Sequence, residues 1–109
     1  MAPAYEVELS QEANEDLRAI KPFHRGTIVT ALTHLRNQAE VATQNRKPLE
    51  EPLDELPEAA WEVRVGEYRA FYEVKPPDEE TGGRTVRVLR VIMKGAAHTR
   101  EALRRADRR

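Results

Sequence analysis

One stretch decides the fold: Trp61-Glu62-Val63-Arg64-Val65-Gly66-Glu67-Tyr68-Arg69-Ala70-Phe71-Tyr72-Glu73-Val74. Apolar and charged residues alternate as far as Val65, Gly66 interrupts the alternation, and an aromatic and β-branched run follows. This pattern predicts a β-hairpin. Glycine at the first position of a two-residue loop is typical of a type II′ turn, because that position needs a positive φ.

A Gly66-Glu67 loop places Arg64 directly opposite Arg69. A like-charge pair across two strands is unfavourable by some tenths of a kcal/mol up to about 1 kcal/mol. One explanation is an anion bound between the two guanidinium groups, since the planar fork of arginine suits phosphate. The other is that Glu62, diagonal to Arg69 and on the same strand face as Arg64, neutralises the pair and nothing binds there.

The segments before this hairpin predict one strand and two helices. Residues 4–9 alternate apolar and acidic side chains, as in a half-buried strand. Ser10 suits the N-cap of a first helix, which ends at Lys21-Pro22, and Pro22 suits the first turn of a second helix. We expect an antiparallel helix hairpin with its apolar faces toward a sheet. The apolar residues at helical spacing are Ala13, Leu17 and Ile20 in the first helix, and Phe23, Ile28, Ala31, Leu32, Leu35 and Ala39 in the second. The other face of the first helix carries Glu12, Glu15, Asp16 and Arg18.

The remaining segments predict loops, one central strand and a tail. Residues 43–57 lack periodicity and contain three prolines, so we expect no regular element there, only attachment to the core through leucines. Residues 75–83 read as a loop, residues 84–94 as a strand, and residues 96–109 as a short helical tail. The strand is apolar on both faces, which is typical of a central strand. We assign Val86, Val88 and Ile92 to one face and Leu89, Val91 and Met93 to the other.

The predicted fold class is therefore α+β: an N-terminal strand, an antiparallel two-helix hairpin, three antiparallel strands and a short C-terminal helical tail. The length of 109 residues predicts a single domain, residues 1–109. We expect a cytoplasmic protein, because the sequence contains no cysteine, no signal-peptide pattern and no apolar run of about 20 residues. The net charge of -1 argues against a simple nucleic-acid-binding protein, although the last ten residues are strongly basic.

The stretch from Leu53 to Val74 resembles the RelE/ParE superfamily of bacterial toxins. The resemblance is carried by the spacing of Arg64, Gly66, Tyr68 and Arg69, an "R-V-G-x-Y-R" core followed by an aromatic-rich strand. It implies the toxin half of a type II toxin-antitoxin pair. The fold of those toxins has the same order of elements, so the resemblance extends over nearly the whole chain.

In the RelE branch the resemblance implies a ribosome-dependent mRNA endonuclease that inhibits translation. Attack of a ribose 2′-hydroxyl on the adjacent phosphate requires cations near the phosphate and groups that transfer protons. By position, Arg69 matches the phosphate-binding arginine, and Arg64 and Lys94 match further basic positions. The arginine and tyrosine that ribonuclease members carry shortly after Lys94 are missing here. The nearest substitute for proton transfer is His98.

The alternative is a ParE-like toxin directed at DNA gyrase, or a catalytically inactive relative that binds an antitoxin. The missing arginine and tyrosine, the acidic Glu62 and the near-neutral net charge favour it.

The resemblance also implies a cognate antitoxin partner, alongside mRNA on the ribosome for a RelE-like toxin. The candidate surfaces for the antitoxin are residues 11–42 and the basic tail, where an acidic segment would suit Arg100, Arg104 and Arg105. We expect no small-molecule cofactor, no metal and no membrane association.

Overall fold

The computed structural model of the chain describes residues 4–93. Its elements are β1 (Tyr5–Leu9), α1 (Gln11–Ala19), α2 (Pro22–Thr33), α3 (Leu35–Gln38), β2 (Arg46–Pro48), β3 (Trp61–Val65), β4 (Tyr68–Val74) and β5 (Arg84–Met93). The strands form one sheet in the order β1-β5-β4-β3-β2. β1 runs parallel to β5, and the other neighbours are antiparallel. The predicted α+β class is confirmed, whereas the C-terminal helical tail lies outside the described residues.

The predicted hairpin forms with the predicted register. Gly66 has a φ of +57°, and no residue other than glycine has a positive φ in the described part of the chain. A positive φ at the first loop position alone fits a type II′ turn. Val65 pairs with Tyr68, and Arg64 pairs with Arg69.

β5 is an interior strand, between β1 and β4, as its two apolar faces predict. The assignment of its side chains to faces is correct as far as Leu89 and wrong for Val91 and Ile92. Tyr72 pairs with Val88 and Phe71 with Arg90, so one extra residue of β5 forms a bulge and reverses the alternation. As a result, the buried Val91 packs in the same cluster as Val88, and Ile92 turns to the opposite face.

The helices pack on one face of the sheet. The Ser10 hydroxyl accepts a hydrogen bond from the Ala13 N–H and donates one to the Leu89 carbonyl, which links the start of α1 to β5. The Arg25 guanidinium donates to the Leu17, Arg18 and Ile20 carbonyls, so α2 caps the end of α1.

Two details of the second predicted helix are wrong. It is divided at His34, whose N–H bonds to the Ala31 and Leu32 carbonyls. Phe23 is 82 % exposed and lies outside the core. The apolar period nevertheless continues across the division, because Leu32 and Leu35 are both buried.

The prediction of no regular element in residues 43–57 is also wrong, since β2 pairs with β3 there. Arg46 is buried, and its guanidinium donates to the Gln38 side chain and the Val41 carbonyl. Three residues that end in a proline are too few to show strand alternation, so this strand has no sequence pattern. None of the helices in residues 4–93 is long and apolar enough to cross a membrane.

A buried ion pair joins α1 to β5. Asp16 accepts hydrogen bonds from Arg90 at 2.7 and 2.9 Å and from the Val91 N–H at 2.9 Å. Both side chains are largely buried, with 7 % of Arg90 and 13 % of Asp16 exposed. The prediction that Asp16 lies on the face of the first helix away from the sheet is therefore wrong. β1 pairs with β5 only as far as Val88, so Asp16 can reach the edge of β5 beyond that point. Helical spacing alone does not predict this contact.

We expect Asp16→Asn to lower the free energy of unfolding by about 3 kcal/mol, because it leaves the Arg90 charge buried without its partner. Glu12→Gln, an exposed site on the same helix with the same change of charge, should lower it by at most about 0.5 kcal/mol. Urea denaturation of the two variants measures the difference. Equal stabilities would contradict a structural role for the Asp16–Arg90 pair.

Candidate functional site

The two faces of the sheet differ in what covers them. Val63, Ala70 and Tyr72 belong to the main core beneath the helices. On the other face, which we call the open face, a smaller apolar cluster contains Phe71, Leu89 and Ile92. Leu49, Leu53 and Leu56 of the connection between β2 and β3 pack against this cluster, as predicted. The connection therefore covers part of the open face, and among residues 4–93 it leaves the hairpin end of β3 and β4 without a cover of apolar side chains.

A charged cluster occupies this hairpin end of the open face. Its members are Lys47, Glu62, Arg64 and Arg69, which we call the cationic cluster. The Glu62 side chain is only 6 % exposed and lies among the three cations. Its carboxylate is 3.6 Å from Arg64 Nη2, 3.9 Å from Arg69 Nη1 and 3.9 Å from Lys47 Nζ.

These contacts are ion pairs without hydrogen bonds, because the distances exceed hydrogen-bond length. The Nε atoms of Arg64 and Arg69 are buried and have no hydrogen-bond partner within residues 4–93. Buried donors are normally paired, but the Nε atoms of Arg46 and Arg84 are unpartnered in the same way, so this feature does not distinguish the site. The side chains of Arg64 and Arg69 are 34 % and 25 % exposed, which leaves them accessible to an anion.

A surface pocket of about 340 Å³ opens at the cationic cluster. The cluster lines it together with Glu50 and the apolar side chains of Leu49, Leu53 and Phe71. Three cations and two carboxylates give the pocket a small positive surplus. Such a surplus, with two guanidinium groups side by side, suits a single phosphate group.

Both explanations of the arginine pair therefore have structural support. Glu62 contacts both guanidinium groups, as the neutralising explanation predicts, and the partial exposure of both arginine side chains leaves them accessible to an anion. Lys47 was not predicted as part of the site. It lies directly opposite Glu62 on β2, and only a prediction of that strand would have found it.

The other predicted site residues, Lys94, His98, Arg100, Arg104 and Arg105, lie outside the described residues. Trp61, Tyr68 and Tyr72 of the hairpin pack in the main core rather than at the site. Trp61 stacks on Tyr72 with ring centroids 6.1 Å apart. Burial raises the pKa of Tyr72 well above its usual range, and its hydroxyl donates to the Ala39 carbonyl at 2.6 Å. Within residues 4–93, no group of three or more His, Asp or Glu is placed to hold a metal ion.

A family model described as the ParE toxin of the type II toxin-antitoxin system, parDE, matches residues 7–95. The chain belongs to this toxin family. It is thus a type II toxin of the RelE/ParE superfamily, as the spacing of Arg64, Gly66, Tyr68 and Arg69 predicts. The comparison with curated protein sequences gives no match.

Solved structures of this toxin superfamily share the fold. The toxin-antitoxin complex RelBE2 from Mycobacterium tuberculosis contains a chain 28 % identical to this one, with a TM-score of 0.60; the match covers 84 % of this chain and 99 % of that chain. The archaeal RelE-RelB complex from Pyrococcus horikoshii matches at 17 % identity and a TM-score of 0.63, over 85 % and 98 % of the two chains. The YoeB/ParE toxin from Agrobacterium tumefaciens matches at 14 % identity and a TM-score of 0.59, over 81 % and 97 %.

The turn that aligns the two arginines of this toxin can be tested with two glycine substitutions. A Cβ added at Gly66 or at Gly26 meets no atom within 4 Å, so only the backbone distinguishes the two sites. Gly66→Ala should destabilise the toxin by about 1 kcal/mol, because its φ of +57° strains an L side chain. Gly26→Ala, within α2, should stabilise it by up to about 1 kcal/mol. Thermal unfolding measures both, and a shift of the same sign in the two variants would contradict the turn assignment.

Proposed function

We propose that this toxin is a RelE-like, ribosome-dependent mRNA endonuclease that stops translation in the cytoplasm. The proposal depends mainly on one observation: Arg64 and Arg69 lie side by side on the open face, and their side chains are partly exposed to solvent. The 28 % identity to a chain of the RelBE2 complex supports the same branch of the superfamily.

The proposed chemistry is attack of a ribose 2′-hydroxyl on the adjacent phosphorus, with departure of the 5′-oxygen and formation of a 2′,3′-cyclic phosphate. Negative charge grows on the phosphate oxygens as the new bond forms. Arg64 and Arg69 stabilise that charge at the cationic cluster. Lys94, which follows β5, supplies a further cation, and His98 transfers the proton. The roles of Lys94 and His98 come from the resemblance.

Arg69→Ala should abolish cleavage, because it removes one of the two adjacent phosphate donors; we expect a loss of about 100-fold or more. Primer extension on a reporter mRNA, after brief induction of the toxin in a bacterium, detects cuts within translated codons. Arg18→Ala, which removes an exposed arginine of α1 on the helix side of the molecule, should cleave as the native chain does. Cleavage that persists in Arg69→Ala would contradict the assigned role.

A ParE-like action on DNA gyrase is the second candidate. The burial of Glu62 within the cationic cluster favours it, because a fixed carboxylate weakens the site for phosphate. The match to the ParE toxin family favours it as well. Arrest of DNA synthesis with intact mRNA in the same induction experiment would support action on DNA gyrase and contradict the endonuclease.

We further propose a cognate antitoxin as partner, as in the RelBE2 and RelE-RelB complexes. Among the described residues, the surface that suits it best is a groove between β1 and α2, within the predicted residues 11–42 and the adjoining strand. Val29 is 45 % exposed there and lines the groove with Val7, Leu9 and Leu32. The second proposed surface is the tail, with Arg100, Arg104 and Arg105.

Val29→Asp should weaken co-purification of the neighbouring gene product, because it places a charge in the apolar groove. The control is Thr30→Asp, which introduces the same negative charge at the exposed position next to Val29 on α2. A separate truncation after Gly95 tests the tail. Unchanged binding by Val29→Asp would contradict the groove, and unchanged binding by the truncation would contradict the tail.

A further inference from the structure

Glu62 is the most deeply placed charge of the open face. Its side chain is 6 % exposed, whereas the side chains of Arg64, Arg69 and Lys47 are 34 %, 25 % and 53 % exposed. The three cations are therefore more accessible to solvent than this carboxylate is. Glu62 lines the same pocket as the two guanidinium groups, so an anion bound there is close to both charges.

The position of Glu62 has two opposing effects on the arginine pair. The carboxylate neutralises part of the repulsion between two guanidinium groups that the hairpin register places opposite each other. It therefore holds both arginines on the open face before any ligand arrives. Its negative charge also opposes a phosphate at the same guanidinium groups, since like charges close together in a partly buried site repel.

We propose that Glu62 lowers the affinity of the cationic cluster for RNA phosphate. The inference rests on the proposed function, in that the anion is taken to be an RNA phosphate. Glu62 orders the two arginines and at the same time reduces their attraction for a single phosphate. Free RNA is then held weakly, and only RNA that is positioned by other contacts, as a message is on the ribosome, stays in the site.

Two features of the cluster support this role over simple neutralisation. The contacts of Glu62 with Arg64 and Arg69 use the Nη atoms at 3.6 and 3.9 Å and leave both Nε donors unpartnered within residues 4–93. A side chain that served only to satisfy the arginines would be expected to form short, bidentate contacts, as Asp16 does with Arg90 at 2.7 and 2.9 Å. The same chain thus contains a closed arginine–carboxylate pair and an open one.

The experiment compares Glu62→Gln with Glu67→Gln in the full chain. Gln keeps the shape of Glu and removes its charge. Glu67 is the matched control: it is exposed in the turn between β3 and β4, and it forms no ion pair within residues 4–93. The probes are inorganic phosphate, read as the rise in melting temperature at constant ionic strength, and a short single-stranded oligoribonucleotide, read as a dissociation constant.

We expect Glu62→Gln to melt at a lower temperature than the native chain without phosphate, and to gain more from added phosphate because a ligand stabilises the state that binds it. Its affinity for the oligoribonucleotide should rise at least about tenfold, whereas Glu67→Gln should stay within about twofold of the native chain. If Glu62→Gln does not fold, Lys47→Gln with Glu62→Gln keeps the net charge of the native cluster. This double variant should still bind more tightly than the native chain, because Lys47 is the most exposed of the three cations.

Equal affinities for Glu62→Gln and the native chain would overturn the inference, and so would an equal gain in Glu67→Gln. These outcomes are separate from those that test the endonuclease. Intact mRNA on induction contradicts the proposed function whatever the binding data show. Cleavage that depends on Arg69, together with unchanged binding by Glu62→Gln, contradicts only the role of Glu62.

Discussion

The constraint on which the site depends is the register of the β3–β4 hairpin. A two-residue loop with Gly66 at its first position allows one pairing, in which Arg64 faces Arg69. A shift of β3 by one residue would turn Arg64 toward the helices and Val63 away from them. Burial of Val63 and Ala70 beneath the helices therefore opposes that shift. The hydrophobic core and the turn thus place two like charges together, although their direct interaction is unfavourable.

A second arginine–carboxylate pair shows how the rest of the fold supports this arrangement. Asp16 bonds both to Arg90 and to the backbone of Val91, so α1 is fixed to β5. β5 in turn pairs along β4, where Arg69 lies beside Ile92. The bulge in β5 turns Ile92 to the open face, into the apolar cluster that the connection between β2 and β3 covers. The cationic cluster therefore lies between β5, which pairs with β4, and the packed connection that follows β2.

The sequence predicts local features of this molecule well and tertiary ones less well. The hairpin, the interior position of β5 and the helix caps follow from short-range patterns: a glycine at a loop position, apolar residues on two faces, and Ser10 or Pro22 at a helix start. The position of Lys47 and the Asp16–Arg90 pair depend on contacts between segments that are distant in the sequence. The periodicity of apolar residues does not predict such contacts. The bulge in β5 is missed for a related reason, because one inserted residue does not disturb a run that is apolar on both faces. In the site, the pairing of Arg64 with Arg69 and the nearness of Glu62 could be predicted, whereas the depth of Glu62 could not.

The central claim is that Arg64 and Arg69 act together on one phosphate of a message that the ribosome holds. The most direct measurement is the single-turnover cleavage rate of mRNA on purified translating ribosomes by the native toxin, Arg64→Ala, Arg69→Ala and the double variant. Two donors to the same phosphate predict that the losses do not add, so that the double variant is little slower than the worse single variant. Losses that add in full would contradict a shared phosphate, and an uncut message with the native toxin would contradict the endonuclease itself.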